Sequence, residues 1–159
     1  FHRDVPACVS GSSSEPDGFI LLAARGDPKH GAKTRICSHR RVIERLTAAE
    51  IAALRRSPVH TECVRPGGAV SPYGLPFHAL EGSQDDPKIT FFYIPEHKEF
   101  VYRIVGEEET QAAYHRALEV AEEECDDVDL QAGDALIINN ARCNHSRTSF
   151  EPQQDGTDR

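Results

Sequence analysis

The apolar run Phe19-Ile-Leu-Leu-Ala-Ala24 lies between Pro16-Asp-Gly18 and Arg25-Gly-Asp-Pro28, and a short run bounded by turn residues predicts a buried β-strand. Thr34–Cys37 reads as a second strand, expected to pair with the first across the Gly26–Gly31 turn region. Val59–Val64, Ile89–Ile94, Val101–Val105 and Ala135–Asn139 are further strand-like segments. Two stretches have helical spacing instead. Thr47-Ala-Ala-Glu50 has the form of a capping box with Leu46 and Ile51 as its hydrophobic staple, so a helix should run to Arg55 or Arg56 and stop before Pro58. Glu107–Cys125 places Tyr114, Ala117, Leu118, Ala121 and Cys125 on one face, and its acidic start suits the positive end of a helix dipole. Ser10–Pro16 has linker composition, Pro66-Gly-Gly68 is a loop, and Ser71–Pro76 is expected to be a loop able to act as a lid over a site. Many short strands with one or two covering helices predict an α+β fold, mainly β, around a sandwich or barrel.

Composition narrows the function. At 159 residues one domain is expected. The net charge of -8 argues against a nucleic-acid surface, and Arg40-Arg41 and Arg55-Arg56 are too short to reverse it. No apolar stretch approaches the roughly 18 residues of a membrane helix. The five cysteines are scattered and form no CxxC, which fits a reduced, cytoplasmic protein and not a zinc site. The chain contains no methionine, and the outermost candidate functional residues, His2 and Arg159, lie within two residues of a terminus. Flanking segments of the domain are therefore expected beyond both termini, because metal ligands need rigid support.

The candidate chemistry is concentrated in the last third. Gly133-Asp-Ala-Leu-Ile-Ile-Asn-Asn140 is a turn launching an apolar strand; His145 follows, and Arg159 comes after a further thirteen-residue interval. A His-x-Asp pair, His2-Arg-Asp4, stands at the other end. Two histidines and a carboxylate on one face leave coordination positions open on Fe(II), and an i, i+2 pair on a strand points both side chains the same way. The His-x-Asp/Glu pattern is weak by itself: about one chance match is expected, and three occur. The competitors are His60-Thr-Glu62 and His97-Lys-Glu99. Asn144-His-Ser146 matches a glycosylation sequon, read as incidental.

The segment from Gly133 to Arg159 resembles the C-terminal motif of clavaminate synthase-like oxygenases: a Gly-Asp-x-Leu-Ile strand, Asn, the distal His, Arg-Thr-x-Phe and Asp-Gly-x-Asp-Arg. Phe1-His2-Arg3-Asp4, the Phe19–Ala24 strand and Thr34 follow the order of that family's proximal region, with Asp4 where Glu is usual. The resemblance implies a double-stranded β-helix (jelly roll) core, incomplete in this chain. It also implies an Fe(II)/2-oxoglutarate-dependent dioxygenase using O2. By position, His2, Asp4 and His145 would bind the metal, while Arg159 and Thr34 would hold the distal carboxylate of 2-oxoglutarate. The implied reaction is hydroxylation of an unactivated C–H of a free amino acid or a small molecule derived from one, in antibiotic-type secondary metabolism. Arginine- and asparagine-type substrates are among the options, and desaturation or ring closure are alternative outcomes. An acidic clamp for such a substrate is not evident, and Asp85-Asp86 reads as a solvated turn before Pro87. Two other classes make distinct forecasts. A cupin-like metal hydrolase or isomerase would ignore 2-oxoglutarate and tolerate Arg159→Ala, and a non-catalytic jelly-roll binding module would bind no iron.

Overall fold

The computed structural model describes residues 16–27, 29–91 and 101–149. His2, Asp4, Cys8, His97, Glu99 and Arg159 lie outside the described residues, as do most of the Ser10–Pro16 linker and the second half of the Ile89–Ile94 segment.

Two strand ladders carry the part of the chain that matters for the site. β1 (Gly18–Leu22) pairs antiparallel with β9 (Ala135–Asn139), with Phe19 opposite Ile138 and Ile20 opposite Ile137. β2 (Thr34–Ser38) lies between β10 (Cys143–Arg147) and β8 (Asp126–Val128), giving the order β10-β2-β8. The chain thus alternates between two sheets: β1 in one, β2 and β8 in the other, β9 back in the first, β10 back in the second. This corrects the expected β1–β2 pairing. The connection is not a hairpin turn, because Asp27 gathers it into a knot. The Asp27 carboxylate accepts from the backbone N–H groups of Lys29, Gly31 and Ala32 at 3.0, 2.9 and 2.8 Å. Those N–H groups hold the Asp27 carboxyl below its usual range. His30, in the left-handed region at φ 54°, reaches Asp129 at 2.6 Å and ties the loop to the segment before β9.

A long stretch of chain separates β2 from β8. It comprises α1 (His39–Arg45), α2 (Ala48–Arg56), β3 (Val59–Val64), β4 (Val70–Phe77), β5 (Leu80–Gly82), β6 (Pro87–Ile89), β7 (Val101–Val105) and α3 (Glu108–Glu124). The capping box forms as expected: Glu50 N–H donates to the Thr47 hydroxyl at 3.3 Å, and Thr47 N–H to the Glu50 carboxylate at 2.7 Å. α3 begins and ends within a residue of its expected bounds, and it buries Thr110, Ala113 and Val120 in addition to the face read from spacing. α1 was not expected; its signal is Val42-Ile43 followed by Leu46, all buried.

β4 overturns the lid expectation. Ser71–Pro76 is strand, not loop. Pro72 and Pro76 are tolerated because β4 is the edge of the β4-β3-β7 sheet, where a missing N–H breaks no central ladder. The register shifts between Val59 and Thr61, and Gly74, with φ 85°, lies in the extra stretch, the backbone freedom that such a bulge uses. Only the Pro66–Gly68 turn remains loop.

The core lies between the helices and the face of β2 and β10 that carries Cys37 and Asn144. Cys37, Val42, Leu54, Leu80, Ile89, Phe91, Tyr114 and Ala117 are all buried there, and Tyr114 meets Phe91 edge-on at 5.6 Å. Full burial of an aliphatic side chain such as Leu54 contributes about 1.5–3 kcal/mol. The carboxylates at the C-terminal end of α3 would oppose the helix dipole. Arginines offset them: Arg35 bonds Glu122, Arg41 reaches Glu124 and Asp126 at 3.3 and 2.7 Å, and Arg45 bonds Glu123 and Glu124. Arg41 of the short basic run is thus engaged inside the fold.

β1 is a strand, but burial on both of its faces is not observed. Ile20, Leu22 and Ile137 on the outer face are 59%, 76% and 76% exposed, while Phe19, Leu21, Leu136 and Ile138 turn inward. The apolar run concealed a one-sided, period-two pattern.

Candidate functional site

The turn before β9 is built as its sequence suggests. Gly133 has φ 93°, its N–H donates to Ala23 O at 2.8 Å, and Ala23 N–H returns to Asp134 O at 2.9 Å. The start of β9 is thereby fixed to the end of β1. After β9, the Asn139–Arg142 turn carries the chain into the other sheet. Asn140 is fully buried; its backbone N–H donates to Asp17 O and its side-chain amide to Pro16 O, both at 3.0 Å. The turn is thus anchored to the residues just ahead of Phe19.

His145 sits in the middle of β10, directly across from Ile36 of β2, and Thr34 is directly across from Arg147. Directly opposed residues share a face, and so do residues two apart on a strand. Thr34, Ile36, His145 and Arg147 therefore line one face, with Thr34 and His145 as diagonal neighbours. All but Arg147 are half-buried, and Arg147 is exposed. The other face carries Cys37 and Asn144, both fully buried against the helical core. On the open face, the Phe19 ring of β1 meets the His145 imidazole at 4.7 Å between centroids with an interplanar angle of 61°. This contact joins the two sheets. The His145 Nδ1 atom is closed to solvent.

The neighbouring thiols are poor competitors for a metal. Burial pushes the Cys37 thiol up to about 12 and raises that of Cys143, so both stay protonated at neutral pH. Cys37, Cys63, Cys125 and Cys143 are all free.

Of the site residues expected from sequence, the structure brings Thr34 and His145 onto one face; His2, Asp4 and Arg159 fall outside the described residues. His60 and Glu62 do stand together on β3, at 3.6 Å. Glu62 is also bound by Arg103 at 2.7 Å, and that guanidinium, with His60 beside it, holds the carboxyl below its usual range. This face is the one opposite Val59, Thr61 and Cys63, which are buried, so the pair is a surface ion cluster. Among the described residues no three His, Cys, Asp or Glu side chains form a metal-sized group. Asp85 and Asp86 are exposed; Arg40 bonds the Asp85 carbonyl at 2.9 Å, and Arg142 approaches Asp86 at 3.5 Å, as fits a solvated turn. The Asn144 sequon is inaccessible, since its side-chain amide is fully buried and donates to Ile89 O at 3.2 Å. Sequence reading overlooked Phe19 as a neighbour of His145; the alternation inside its apolar run was the available signal.

Two sheets meet at a half-buried histidine with a threonine diagonal to it, and the chain belongs to the taurine catabolism dioxygenase TauD, TfdA family, which matches residues 2–159. The L-lysine 3-hydroxylase of Catenulispora acidiphila is 33% identical over 157 residues, covering 93% of this chain and 40% of that protein. Clavaminate synthase 2 of Streptomyces clavuligerus is 29% identical over 151 residues, covering 91% and 43%. The resemblance to clavaminate synthase-like oxygenases read from the motifs is thereby borne out. A solved structure of asparagine oxygenase with Fe(II), 2S,3S-3-hydroxyasparagine and succinate shares the fold, with TM-score 0.71 at 24% identity, covering 99% of this chain and 46% of that one. The chain spans about two fifths of the length of the curated relatives it matches (40% and 43%).

Proposed function

We propose that this chain carries the metal and cosubstrate site of an Fe(II)/2-oxoglutarate-dependent oxygenase that hydroxylates an unactivated C–H of a free amino acid or a small molecule derived from one. The observation that carries the reading is the shared face of His145 and Thr34, open towards Phe19 and backed by a closed core. A half-buried imidazole with its Nδ1 shielded suits a nitrogen ligand for Fe(II). His2 and Asp4 would complete the ligand set with His145. Arg159 would pair with the distal carboxylate of 2-oxoglutarate in the bidentate geometry guanidinium favours, and the Thr34 hydroxyl would donate to the same group. Iron, 2-oxoglutarate and O2 supply the oxidising chemistry when bound, with succinate and carbon dioxide as coproducts. The protein's part is to hold the imidazole and hydroxyl on a fixed face and to keep water off the core side.

Support for a jelly-roll core comes from the alternation of β1, β2, β8, β9 and β10 between two sheets. In this reading the domain is completed by segments flanking residues 1–159. Free thiols fit a cytoplasmic setting, and among the described residues no helix is long and apolar enough to cross a membrane. The similarity to a lysine hydroxylase and to clavaminate synthase 2 supports an amino-acid-like substrate and a role in secondary metabolism.

The test is succinate formation from 2-oxoglutarate by the full-length protein with Fe(II) and a panel of free amino acids. Stimulation by one of them, with a product heavier by one oxygen atom, is expected. Stimulated turnover giving a product lighter by two hydrogens would redirect the reading to desaturation. No stimulation by any amino acid or amino-acid derivative would contradict the substrate class.

A further inference from the structure

The Phe19 ring of β1 touches the His145 imidazole across the two sheets. Its position is over-determined. Phe19 is paired in register with buried Ile138, and the strand bearing Ile138 runs directly into the turn that leads to His145. That turn is bonded twice, through Asn140, to Asp17 and Pro16, the residues just before β1. On the β2 side His145 faces Ile36, a stiff β-branched side chain. The imidazole is thus walled by an aromatic ring from one sheet and an aliphatic side chain from the other.

An unrestrained imidazole has a broad, two-fold preference about its Cβ–Cγ bond, so its ring nitrogens exchange places easily. A metal ligand must be held within roughly 10–20° of its productive orientation. Aromatic pairs prefer edge-to-face geometry at centroid separations of about 4.5–7 Å, and this pair lies within that range.

We infer that Phe19 is a positioning residue of the iron site, fixing the rotation of the His145 ring so that one nitrogen stays aimed into the open face. The inference rests on the reading of His145 as an iron ligand. It assigns to Phe19 no contact with substrate or cosubstrate.

The experiment uses the full-length protein, Phe19→Leu, Phe19→Tyr, and Leu21→Ala as a control for packing on the same inward face. Fe(II) affinity is measured anaerobically with 2-oxoglutarate. In metal-free protein, the carbon-bound ring protons of His145 are followed by NMR. Phe19→Leu should weaken Fe(II) binding about 3–10-fold, at or below the lower end of what loss of an orienting partner costs. Phe19→Tyr should restore it, and Leu21→Ala should leave it unchanged despite lower stability. Wild-type His145 ring protons should show a ring-current displacement that Phe19→Leu removes. Wild-type protein that binds no Fe(II) would sink the iron reading and this inference with it. Normal binding by wild type together with equal binding by Phe19→Leu, or equal loss in Leu21→Ala, would overturn the positioning role alone. Should Phe19→Leu not fold, undisplaced His145 ring protons in the wild type would overturn it as well.

Discussion

On strand β10, Asn144 turns to the helices and is fully buried, its amide bonded to Ile89 O at 3.2 Å, whereas His145 turns to the β1–β9 ladder and keeps part of its surface open. The two are adjacent in sequence, share a backbone ladder with β2, and differ in every physical respect that matters. One face of the sheet is closed by the apolar cluster around Leu54, Ile89 and Tyr114. The other presents an imidazole, a hydroxyl and a cation, from His145, Thr34 and Arg147, in a half-open setting. Alternation along a strand thus separates the residues that hold the fold from those available for chemistry, and the two roles should be separable by mutation.

The largest effect should come from the open face. His145→Ala is expected to lower catalytic turnover by more than the roughly 10–100-fold that removal of an outer partner of a metal ligand costs. Its unfolding free energy should stay within about 1 kcal/mol of wild type, because the side chain is only half-buried. Succinate formation and a thermal melt check the two halves. On the closed face, Asn144→Leu leaves the Ile89 carbonyl without its partner and should cost about 1–3 kcal/mol. For a chain of this size that is roughly 2–4 °C in Tm for each kcal/mol. Iron bound per folded molecule should not change, and loss of iron out of proportion to unfolding would break the separation of the faces.

Thr34→Val tests the open face more gently. Loss of one hydroxyl donor should weaken 2-oxoglutarate by about 1 kcal/mol, a few-fold rise in KM with little change in Tm. Far from both faces, Thr47→Ala should remove about 1 kcal/mol of stability through the α2 cap and leave the KM for 2-oxoglutarate unaltered. The cap also carries the smallest, pH-linked effect. Hydrogen bonds from the Thr47 backbone and hydroxyl hold the Glu50 carboxyl below its usual range. The folded form of such a group is favoured above its ordinary pKa, and that share is lost as pH falls through the lowered value. The gap between wild type and Thr47→Ala should therefore narrow but not close as Glu50 protonates in acid melts, because the cap bond from Glu50 N–H to the Thr47 hydroxyl does not titrate.

The residues of the C-terminal motif divide along the same line, which explains how much of the site was legible. Gly133 is fixed by a positive φ, and Asn140 by two bonds to the segment before β1. Thr148 closes the end of β10, its hydroxyl accepting from Lys33 N–H at 2.8 Å and donating to Gly31 O at 2.6 Å. These are structural, and a motif made of them is easy to recognise without disclosing which member does chemistry. The strands Val59–Val64, Val101–Val105 and Ala135–Asn139 and helix α3 followed from local pattern, and α2 from its capping box, because local signal and tertiary burial agree there. The pairing of β1 with β9 could not be read, since the partners are more than a hundred residues apart and a nearer strand offered itself. Nor could β4, where two prolines and a glycine mimic a loop but occupy a bulged edge strand.

The central claim is that the open face of β10 holds iron. Anaerobic addition of Fe(II) and 2-oxoglutarate to the full-length protein tests it most directly, through the weak visible charge-transfer band of the chelated metal. The account predicts the band in wild type and its loss in folded His145→Ala. Intact wild-type protein without the band, or an undiminished band in His145→Ala, would contradict it.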